Sequence, residues 1–220
     1  MVKTKLITPF YKDIEKSHIS TIEKYEEMYQ DSVENADEFW ATQAKRLDWY
    51  KKWNTVSNSD FMKAEIKWFE GGKLNVSYNC LDRHVEAGFG NQTALIWEGN
   101  DPSEDKSYTY SELLIQVSKF ANVLKSNGIQ KGDRVCIYMQ MIPELSIAML
   151  ACSRIGAVHS IVFGAFSSDS LRDRINDSTC KMLITQDTGV RGKKSDIPMK
   201  ANADKALYNT PSIEKVIMVK

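Results

Sequence analysis

The chain has 220 residues, of which 42% are hydrophobic and 26% are charged, a composition typical of a globular protein. Its 29 Lys and Arg residues balance its 29 Asp and Glu residues, so the formal net charge is zero. Such a chain has no overall field that would attract nucleic acid or an anionic membrane. Any binding of anions must therefore be local.

The cysteines and the amino terminus both favour a cytosolic protein. Cys80, Cys136, Cys152 and Cys180 form no CxxC pair, and three of them lie in apolar surroundings, which is typical of reduced thiols rather than of disulfides or a zinc site. The amino terminus has no apolar run of signal-peptide length. The most apolar segment, residues 145–152, is far shorter than the ~20 residues of a transmembrane helix. We therefore predict a cytosolic location and no membrane contact.

Residues 1–90 are predicted to form a mainly helical region. Two helical patterns lie in IEKYEEMYQDSVENADEFWATQAKRL, and Asp37 and Glu38 suit the first turn of the second helix. A further short helix, which ends at Gly88, is predicted in VSYNCLDRHVEAG.

From residue 91 to residue 220, strand and helix patterns alternate. Two short strands, TALIWEG and KSYTY, flank a polar loop, and Thr109 with Glu112 predicts a capping box for a helix that Gly128 ends. Further strands are predicted in DRVCIYM, AVHSIVF, KMLITQD and EKVIMVK, and further helices from Pro143 to about Arg154 and in SSDSLRDRINDS. These apolar strands predict an α/β fold in which βαβ units build a mostly parallel sheet covered on both faces.

Standard catalytic motifs are missing from the sequence. It contains no GxxxxGK[ST], GxSxG, HExxH or GxGxxG, and His18, His84 and His159 do not have the spacing of metal ligands. We expect His84 on a helix and His159 inside a strand, both in structural roles. No catalytic residue and no metal ligand is assigned.

One candidate binding loop, residues 163–168, follows the strand AVHSIVF at its carboxyl end. Ligands of open α/β sheets bind outside the carboxyl ends of the strands. Gly164 would let the backbone approach a ligand closely, and Ser167 or Ser168 would cap the next helix. An ordinary βα turn is the competing interpretation.

A second candidate loop, GVRGKKSD, follows the strand KMLITQD and so leaves the sheet on the same side. Arg191 can present a fork of donors to a phosphate, and Lys193 and Lys194 add point charges. Its two glycines would let the loop curl around a ligand. The competing interpretation is a solvated surface loop whose charge is partly neutralised by Asp196.

Three stretches resemble a known family: KWFEGGKLNVSYNCLDRH, the long run from YTYSELL to SLRDRI, and TQDTGVRGKKSDIPMK. Together they are similar, in order from about Tyr25 to the end, to the AMP-forming acetyl-CoA synthetases (acetate–CoA ligases) of the acyl-adenylate-forming superfamily. These enzymes convert acetate, ATP and CoA to acetyl-CoA, AMP and pyrophosphate through an acetyl-adenylate. The resemblance implies that residues 1–90 are the helical region typical of these synthetases and that residues 91–220 are the first, incomplete α/β subdomain of the large AMP-binding domain.

The resemblance also limits what this segment can do. It implies that the motifs for ATP, the acyl group and the catalytic lysine lie beyond residue 220. The 220-residue chain alone is therefore expected to be inactive, and ATP and Mg²⁺ are expected only in the complete enzyme. Its implied partners are the remaining AMP-binding domain and a mobile C-terminal domain.

Coenzyme A is the ligand that the resemblance implies for the two candidate loops. The implied residues are Arg191, Gly192, Lys193 and Lys194 at the 3′-phosphate end, and Phe163, Gly164 and Ala165 along the CoA nucleotide. Two positions depart from the family's pattern. Lys194 stands in place of a second arginine and loses the planar fork, and Ala165 stands in place of a second glycine, where its methyl group could narrow the approach of the backbone.

Two alternatives remain open at this point. One is a propionyl-CoA synthetase or another short-chain acyl-CoA synthetase, because these enzymes share this region and differ in the acyl pocket. The other is a non-catalytic CoA-binding fragment. It would have to fold alone, with an exposed sheet edge that invites aggregation.

Overall fold

The computed structural model describes residues 14–220. The amino-terminal segment that bears on a signal peptide lies outside these residues. The described chain divides into two compact units, one that ends at Lys73 and one that comprises Leu74–Lys220. The predicted regions 1–90 and 91–220 refer to the domains of a longer chain, and this assignment remains a prediction.

The first unit contains two helices and a β-hairpin. Its elements are α1 (Ile22–Glu34), α2 (Ala36–Ala44), β1 (Thr55–Asp60) and β2 (Glu65–Glu70). Both predicted helices are confirmed, and the hydroxyl of Thr21 caps α1 by accepting a hydrogen bond from the Lys24 amide. The antiparallel pairing of β1 with β2 was not predicted. The rings of Trp49, Trp53 and Phe69 form a cluster with centroid separations of 4.9, 5.1 and 5.5 Å.

The second unit begins with the predicted short helix, which is wound in wide π-type turns over Tyr78–Asp82 and Val85–Phe89. Gly88 has a positive φ of 86°, which breaks the helical path where the end was predicted. The later strands are β3 (Thr93–Trp97), β4 (Lys106–Thr109), β5 (Arg134–Met139), β6 (Val158–Phe163), β7 (Met182–Gln186), β8 (Gly189–Arg191), β9 (Lys194–Ile197) and β10 (Lys215–Val219). The helices are α3 (Tyr110–Ser126), α4 (Pro143–Ile155), α5 (Ser168–Ser178) and α6 (Met199–Leu207).

A four-stranded parallel sheet, ordered β10-β7-β5-β6, forms the centre of this unit and confirms the predicted α/β fold. Successive residues of β5 point to opposite faces. Val135, Ile137 and Met139 pack with α3 and α4, whereas Cys136 and Tyr138 pack with α5 and α6. The sheet is thus covered on both faces, which explains why its central strands are apolar throughout.

Local signals for α3 act as predicted. The Thr109 hydroxyl accepts from the Glu112 amide at 3.2 Å, and the Glu112 carboxylate accepts from the Thr109 amide at 2.8 Å. These reciprocal bonds form the capping box, and the hydrogen bonds that the Thr109 amide and hydroxyl donate to the carboxylate lower the pKa of Glu112. After the helix, Gly128 adopts a φ of 88°. The start and end of α3 are therefore encoded in its own residues.

The chain order of the sheet places a switch point at its carboxyl edge. After β5 the chain continues to β6 on one side, whereas after β7 it continues to β10 on the other side. Between the ends of β5 and β7 the two connections diverge and leave a crevice, which is where open α/β sheets bind ligands. Among residues 14–220, no helix is both long enough and apolar enough to cross a membrane.

Candidate functional site

A cleft of about 1350 Å³ opens at the carboxyl edge of the parallel sheet. All seven residues that the sequence analysis proposed for binding line this one cleft: Phe163, Gly164, Ala165, Arg191, Gly192, Lys193 and Lys194. The ends of β5, β6, β7 and β10 contribute to its wall, and the connection between β3 and β4 closes one side. Two loops that lie far apart in the sequence thus face the same space.

Two glutamines form the floor between β5 and β7. The backbone amide of Gln140 donates to Oε1 of Gln186 at 2.7 Å, and Nε2 of Gln186 donates to the carbonyl of Thr188 at 2.7 Å. Gln186 is buried, with 6% of its surface exposed. Because its amide group is held at both ends, it joins the two strands at the switch point in one orientation.

The turn after β6 is held from below by Tyr138. Its hydroxyl lies 3.2 Å from the carbonyl oxygen of Gly164 and 2.9 Å from that of Phe166, and it can donate its one proton to either. Tyr138 is fully buried, and this burial raises the pKa of its hydroxyl. Ser167 caps α5, as one of the two predicted serines, by accepting from the Ser170 amide. The turn is therefore fixed to the sheet.

Gly164 leaves little room for a side chain. A Cβ atom on this residue would lie 3.1 Å from the carbonyl oxygen of Met139 and 3.2 Å from Cε of Met199. This packing is a second reason for glycine at this position, beside the predicted close approach of a ligand, which stays a prediction. Phe163 and Ala165 on either side of it are exposed to the cleft.

The basic stretch forms a β-hairpin rather than the irregular loop that the sequence suggested. Strands β8 and β9 pair at Gly189 with Ile197 and at Arg191 with Lys194. Gly192 begins the two-residue turn with a φ of 57°, a conformation that suits glycine. Residues directly opposite each other in a hairpin point to the same face. The pairing therefore places Arg191 beside Lys194.

Side-chain amides from outside the hairpin hold its backbone. Oε1 of Gln140 accepts from the Val190 amide at 2.8 Å. At the turn, Oδ1 of Asn100 accepts from the Gly192 amide at 2.9 Å, and Nδ2 of Asn100 donates to the Gly192 carbonyl at 2.7 Å. Sequence reasoning missed both Asn100 and Gln140 because no local pattern distinguishes either amide from an ordinary polar residue.

The three cations of the hairpin are available to a ligand. Arg191, Lys193 and Lys194 are exposed, and within residues 14–220 none of them forms an ion pair. Asp196 therefore does not neutralise them through a contact among the described residues. Such a group of cations, borne on a fixed backbone at the mouth of a cleft, can bind an exposed phosphate.

Two of the three histidines and three of the four cysteines pack within the fold. His84 lies on the π-type helix against the ring of Tyr110, and burial on β6 lowers the pKa of His159. Three of the four cysteines are buried, as their apolar neighbours predicted. In the part of the chain that the structure describes, no three His, Cys, Asp or Glu side chains are placed to hold a metal ion.

Comparison with known proteins agrees with this geometry. Residues 81–220 match the family model "AMP-binding enzyme", and residues 25–80 match "Acetyl-coenzyme A synthetase N-terminus". The chain therefore belongs to the family of AMP-binding enzymes, and within it the relatives are acetyl-CoA synthetases.

Several relatives have similar identity to this chain. Acetyl-coenzyme A synthetase 2 of Pseudomonas putida is 55% identical over 94% of this chain and 32% of its own length. The acetyl-coenzyme A synthetase of Magnetococcus marinus is 56% identical over 90% of this chain and 30% of its own length. That of Halorhodospira halophila is 51% identical over the whole chain and 34% of its own length. The chain thus spans about a third of the length of the curated relatives it matches.

Proposed function

We propose that this chain is the amino-terminal part of an acetate–CoA ligase and that its cleft holds the nucleotide end of coenzyme A. One observation carries the proposal: both candidate loops line a single cleft, and the cations at its mouth have no ion-pair partner within residues 14–220. The match to the amino terminus of acetyl-coenzyme A synthetases supports the same reading.

The 3′-phosphate of CoA is the group that we assign to the hairpin. Arg191 would contact it with two parallel donors, and Lys194, opposite it in the pairing, would add a point charge. Each charge-assisted hydrogen bond contributes roughly 1.5–3 kcal/mol. Lys193 belongs to the turn itself, and we expect it to remain largely solvated. The turn formed by residues 163–165 would lie along the nucleotide.

The chemical steps belong to the rest of the proposed synthetase. ATP, Mg²⁺, the acetyl group and the catalytic lysine are assigned to segments beyond residue 220, together with the mobile C-terminal domain. The role proposed for this segment is to hold the outer end of CoA while its thiol reaches the acetyl-adenylate. Selectivity for acetate over propionate and a cytosolic location are likewise proposals, the former supported by the names of the relatives.

Replacing Arg191 with alanine in the complete synthetase tests the proposal. The expected result is that the KM for CoA rises by about tenfold or more, as the loss of one charge-assisted contact predicts. Acetate-dependent exchange of pyrophosphate into ATP should keep its rate, because that half-reaction does not use CoA. If exchange falls as much as the overall reaction, the assignment of Arg191 to CoA is wrong.

A charge control separates local binding from general electrostatics. Lys205 is an exposed lysine near the end of α6, outside the cleft, and Lys205→Ala removes the same unit of charge. This variant should leave the KM for CoA unchanged. An equal rise in both variants would mean that the overall field, and not the hairpin, attracts CoA.

Acyl selectivity needs a separate measurement on the complete chain. Rates with acetate, propionate and butyrate at saturating CoA compare the acyl groups directly. We expect acetate to give the highest kcat/KM. A preference for propionate would favour the propionyl-CoA synthetase alternative without affecting the assignment of the hairpin.

A further inference from the structure

Asn100 has an unusual role for an exposed asparagine. It lies in the connection between β3 and β4, and its side chain bonds both the amide and the carbonyl of Gly192. These two residues are 92 positions apart in the chain. The pair of bonds closes on the main chain at the tip of the cationic hairpin, between Arg191 and Lys193.

The connection that carries Asn100 is itself fixed. The indole nitrogen of Trp97 donates to the carbonyl of Met141 at 2.7 Å, which ties the end of β3 to the segment after β5. On the other side of Asn100, the carboxylate of Asp101 accepts from the amide of Ser103 at 2.9 Å and caps a single helical turn. Asn100 therefore reaches the hairpin from a supported base.

The hairpin needs such support because it is short and its charges repel. It has only two register pairs, Gly189 with Ile197 and Arg191 with Lys194, with an irregularity between them. An isolated two-stranded hairpin is marginally stable in water. Like charges placed directly opposite each other destabilise the pairing further. Without an external anchor, Arg191 and Lys194 would separate.

Two anchors hold the hairpin at different heights. Gln140 holds its base through the Val190 amide, and Asn100 holds its tip through Gly192. Gln140 also bonds Gln186 through its backbone and so belongs to the floor of the cleft. Within residues 14–220 the side-chain hydrogen bonds of Asn100 all go to Gly192, so its effect on the cations can be tested alone.

We propose that Asn100 is a positioning residue that holds the backbone of the hairpin so that Arg191 and Lys194 converge on one phosphate. This inference rests on the proposed function, because it takes the phosphate to be the 3′-phosphate of CoA. Asn100 also lines the cleft, but both its side-chain oxygen and its side-chain nitrogen are bonded to Gly192, so its role is assigned to the backbone that it holds and not to contact with the ligand. It fixes the separation of the two cations and thereby the selectivity for a nucleotide that carries this phosphate.

Selectivity between CoA and 3′-dephospho-CoA is the readout that a merely structural role would not change. The two compounds differ only in the phosphate that the hairpin is proposed to bind. A substitution that weakens the whole cleft lowers kcat/KM for both compounds equally. A substitution that frees only the cations lowers kcat/KM for CoA and leaves that for 3′-dephospho-CoA unchanged.

The experiment measures kcat/KM for both compounds with the Asn100→Ala variant of the complete synthetase. We expect the value for CoA to fall by about fivefold, or about 1 kcal/mol by the relation between ratios and free energies, and the value for 3′-dephospho-CoA to stay within about a factor of two. Pyrophosphate exchange and the unfolding midpoint should match those of the parent.

Asn91→Ala is the matched control. Asn91 is an exposed asparagine just before β3, and in the described part of the chain its side chain has no hydrogen bond. Its replacement should change neither kcat/KM value. Equal losses for CoA and 3′-dephospho-CoA in Asn100→Ala, or no loss for either, would overturn the inference.

The Arg191→Ala variant separates failure of this inference from failure of the proposed function. If Arg191→Ala abolishes the preference for CoA over 3′-dephospho-CoA while Asn100→Ala retains it, the hairpin binds the phosphate but does not need the anchor. If Arg191→Ala also retains the preference, the 3′-phosphate lies elsewhere, and both proposals fail.

Discussion

The two loops at the carboxyl edge of the sheet are held in opposite ways. The turn after β6 is fixed from inside, by the fully buried Tyr138 and by the close packing of Gly164 against the carbonyl oxygen of Met139 and the side chain of Met199. The hairpin after β7 is fixed from outside, by Gln140 and by the exposed Asn100. The turn after β6 is thus packed against the core, whereas the β8–β9 hairpin is attached to the surface by hydrogen bonds.

This difference separates stability from binding. Breaking a buried contact leaves unsatisfied groups and a cavity, so the cost appears in the free energy of unfolding. Breaking an exposed hydrogen bond lets water replace the lost partner, so little stability is lost. The hairpin then loses its fixed position while the fold remains. Substitutions in the turn should therefore affect folding, and substitutions in the hairpin should affect affinity.

The largest expected effect is on the buried side of this comparison. Tyr138→Ala should lower the free energy of unfolding by about 3–5 kcal/mol, because it leaves a cavity under the turn. Tyr138→Phe removes only the hydroxyl and should cost about 1–3 kcal/mol, because a carbonyl oxygen of the turn loses its donor. Urea unfolding of both variants measures these losses. A loss below 0.5 kcal/mol for Tyr138→Ala would contradict the assignment of the turn to the core.

Two glycine substitutions compare the loops directly. Gly164→Ala pushes a methyl group against the main chain of Met139 and should cost about 1–3 kcal/mol of stability. Gly189→Ala would place its Cβ 2.6 Å from Nε2 of Gln140, a movable side-chain amide. This amide can rotate away, so the stability should change by less than about 1 kcal/mol.

For CoA binding we expect the opposite order, with a larger effect of Gly189→Ala than of Gly164→Ala. When the side-chain amide of Gln140 moves in Gly189→Ala, the backbone amide of Val190 loses its acceptor. The KM for CoA should then rise by about three- to tenfold in the complete enzyme. Unfolding and steady-state measurements on both variants check the two orders together. A Gly189→Ala variant with lower stability and a normal KM would contradict the proposed difference between the turn after β6 and the hairpin.

A smaller effect, a gain, is expected from Lys194→Arg. Arginine offers a planar pair of donors to a phosphate, whereas lysine offers a point charge, so the KM for CoA should fall by about two- to fivefold. The stability should not change, because the side chain is exposed. Lys205→Arg is the control, with no expected change in KM. If Lys194→Arg weakens CoA binding, Lys194 does not point at the phosphate.

The smallest effect is a pH dependence on the strand that leads to the turn. Burial lowers the pKa of His159 in the folded protein, so the unfolded state takes up this proton first as the pH falls. The histidine therefore reduces stability as the pH falls below about 6.5. His159→Gln should show a shallower decline in unfolding midpoint between pH 7 and pH 5. Parallel declines for both proteins would exclude His159 as a source of this dependence.

Much of the fold could be predicted because its signals are local. The capping box of Thr109 and Glu112, the positive φ of Gly128 and the apolar strands each depend on neighbouring residues. Helix α6 was missed because its buried positions, Met199, Ala203 and Ala206, include two small alanines that give a weak apolar pattern. The β8–β9 hairpin was missed because charged residues and glycine are uncommon in strands.

The candidate site divides in the same way. Arg191 and Phe163 could be placed at one cleft from the sequence, because each lies at or just after the end of a predicted parallel strand and such strands end at the same edge of the sheet. The anchors could not be predicted, because Asn100 and Gln140 act over 92 and 50 positions and leave no local pattern. The close approach of Gly164 to the carbonyl oxygen of Met139 could not be predicted for the same reason, since it becomes known only in three dimensions.

One feature of the anchors bears on how such a site can change over evolution. Every bond from Asn100 and Gln140 to the hairpin ends on a main-chain atom of Val190 or Gly192. The side chains at positions 191, 193 and 194 can therefore be exchanged without loss of the scaffold. The substitution Lys194→Arg would be one such exchange. If the hairpin binds the phosphate as proposed, substitutions at these three positions would alter the charge of the ligand that it accepts and leave the supporting backbone unchanged.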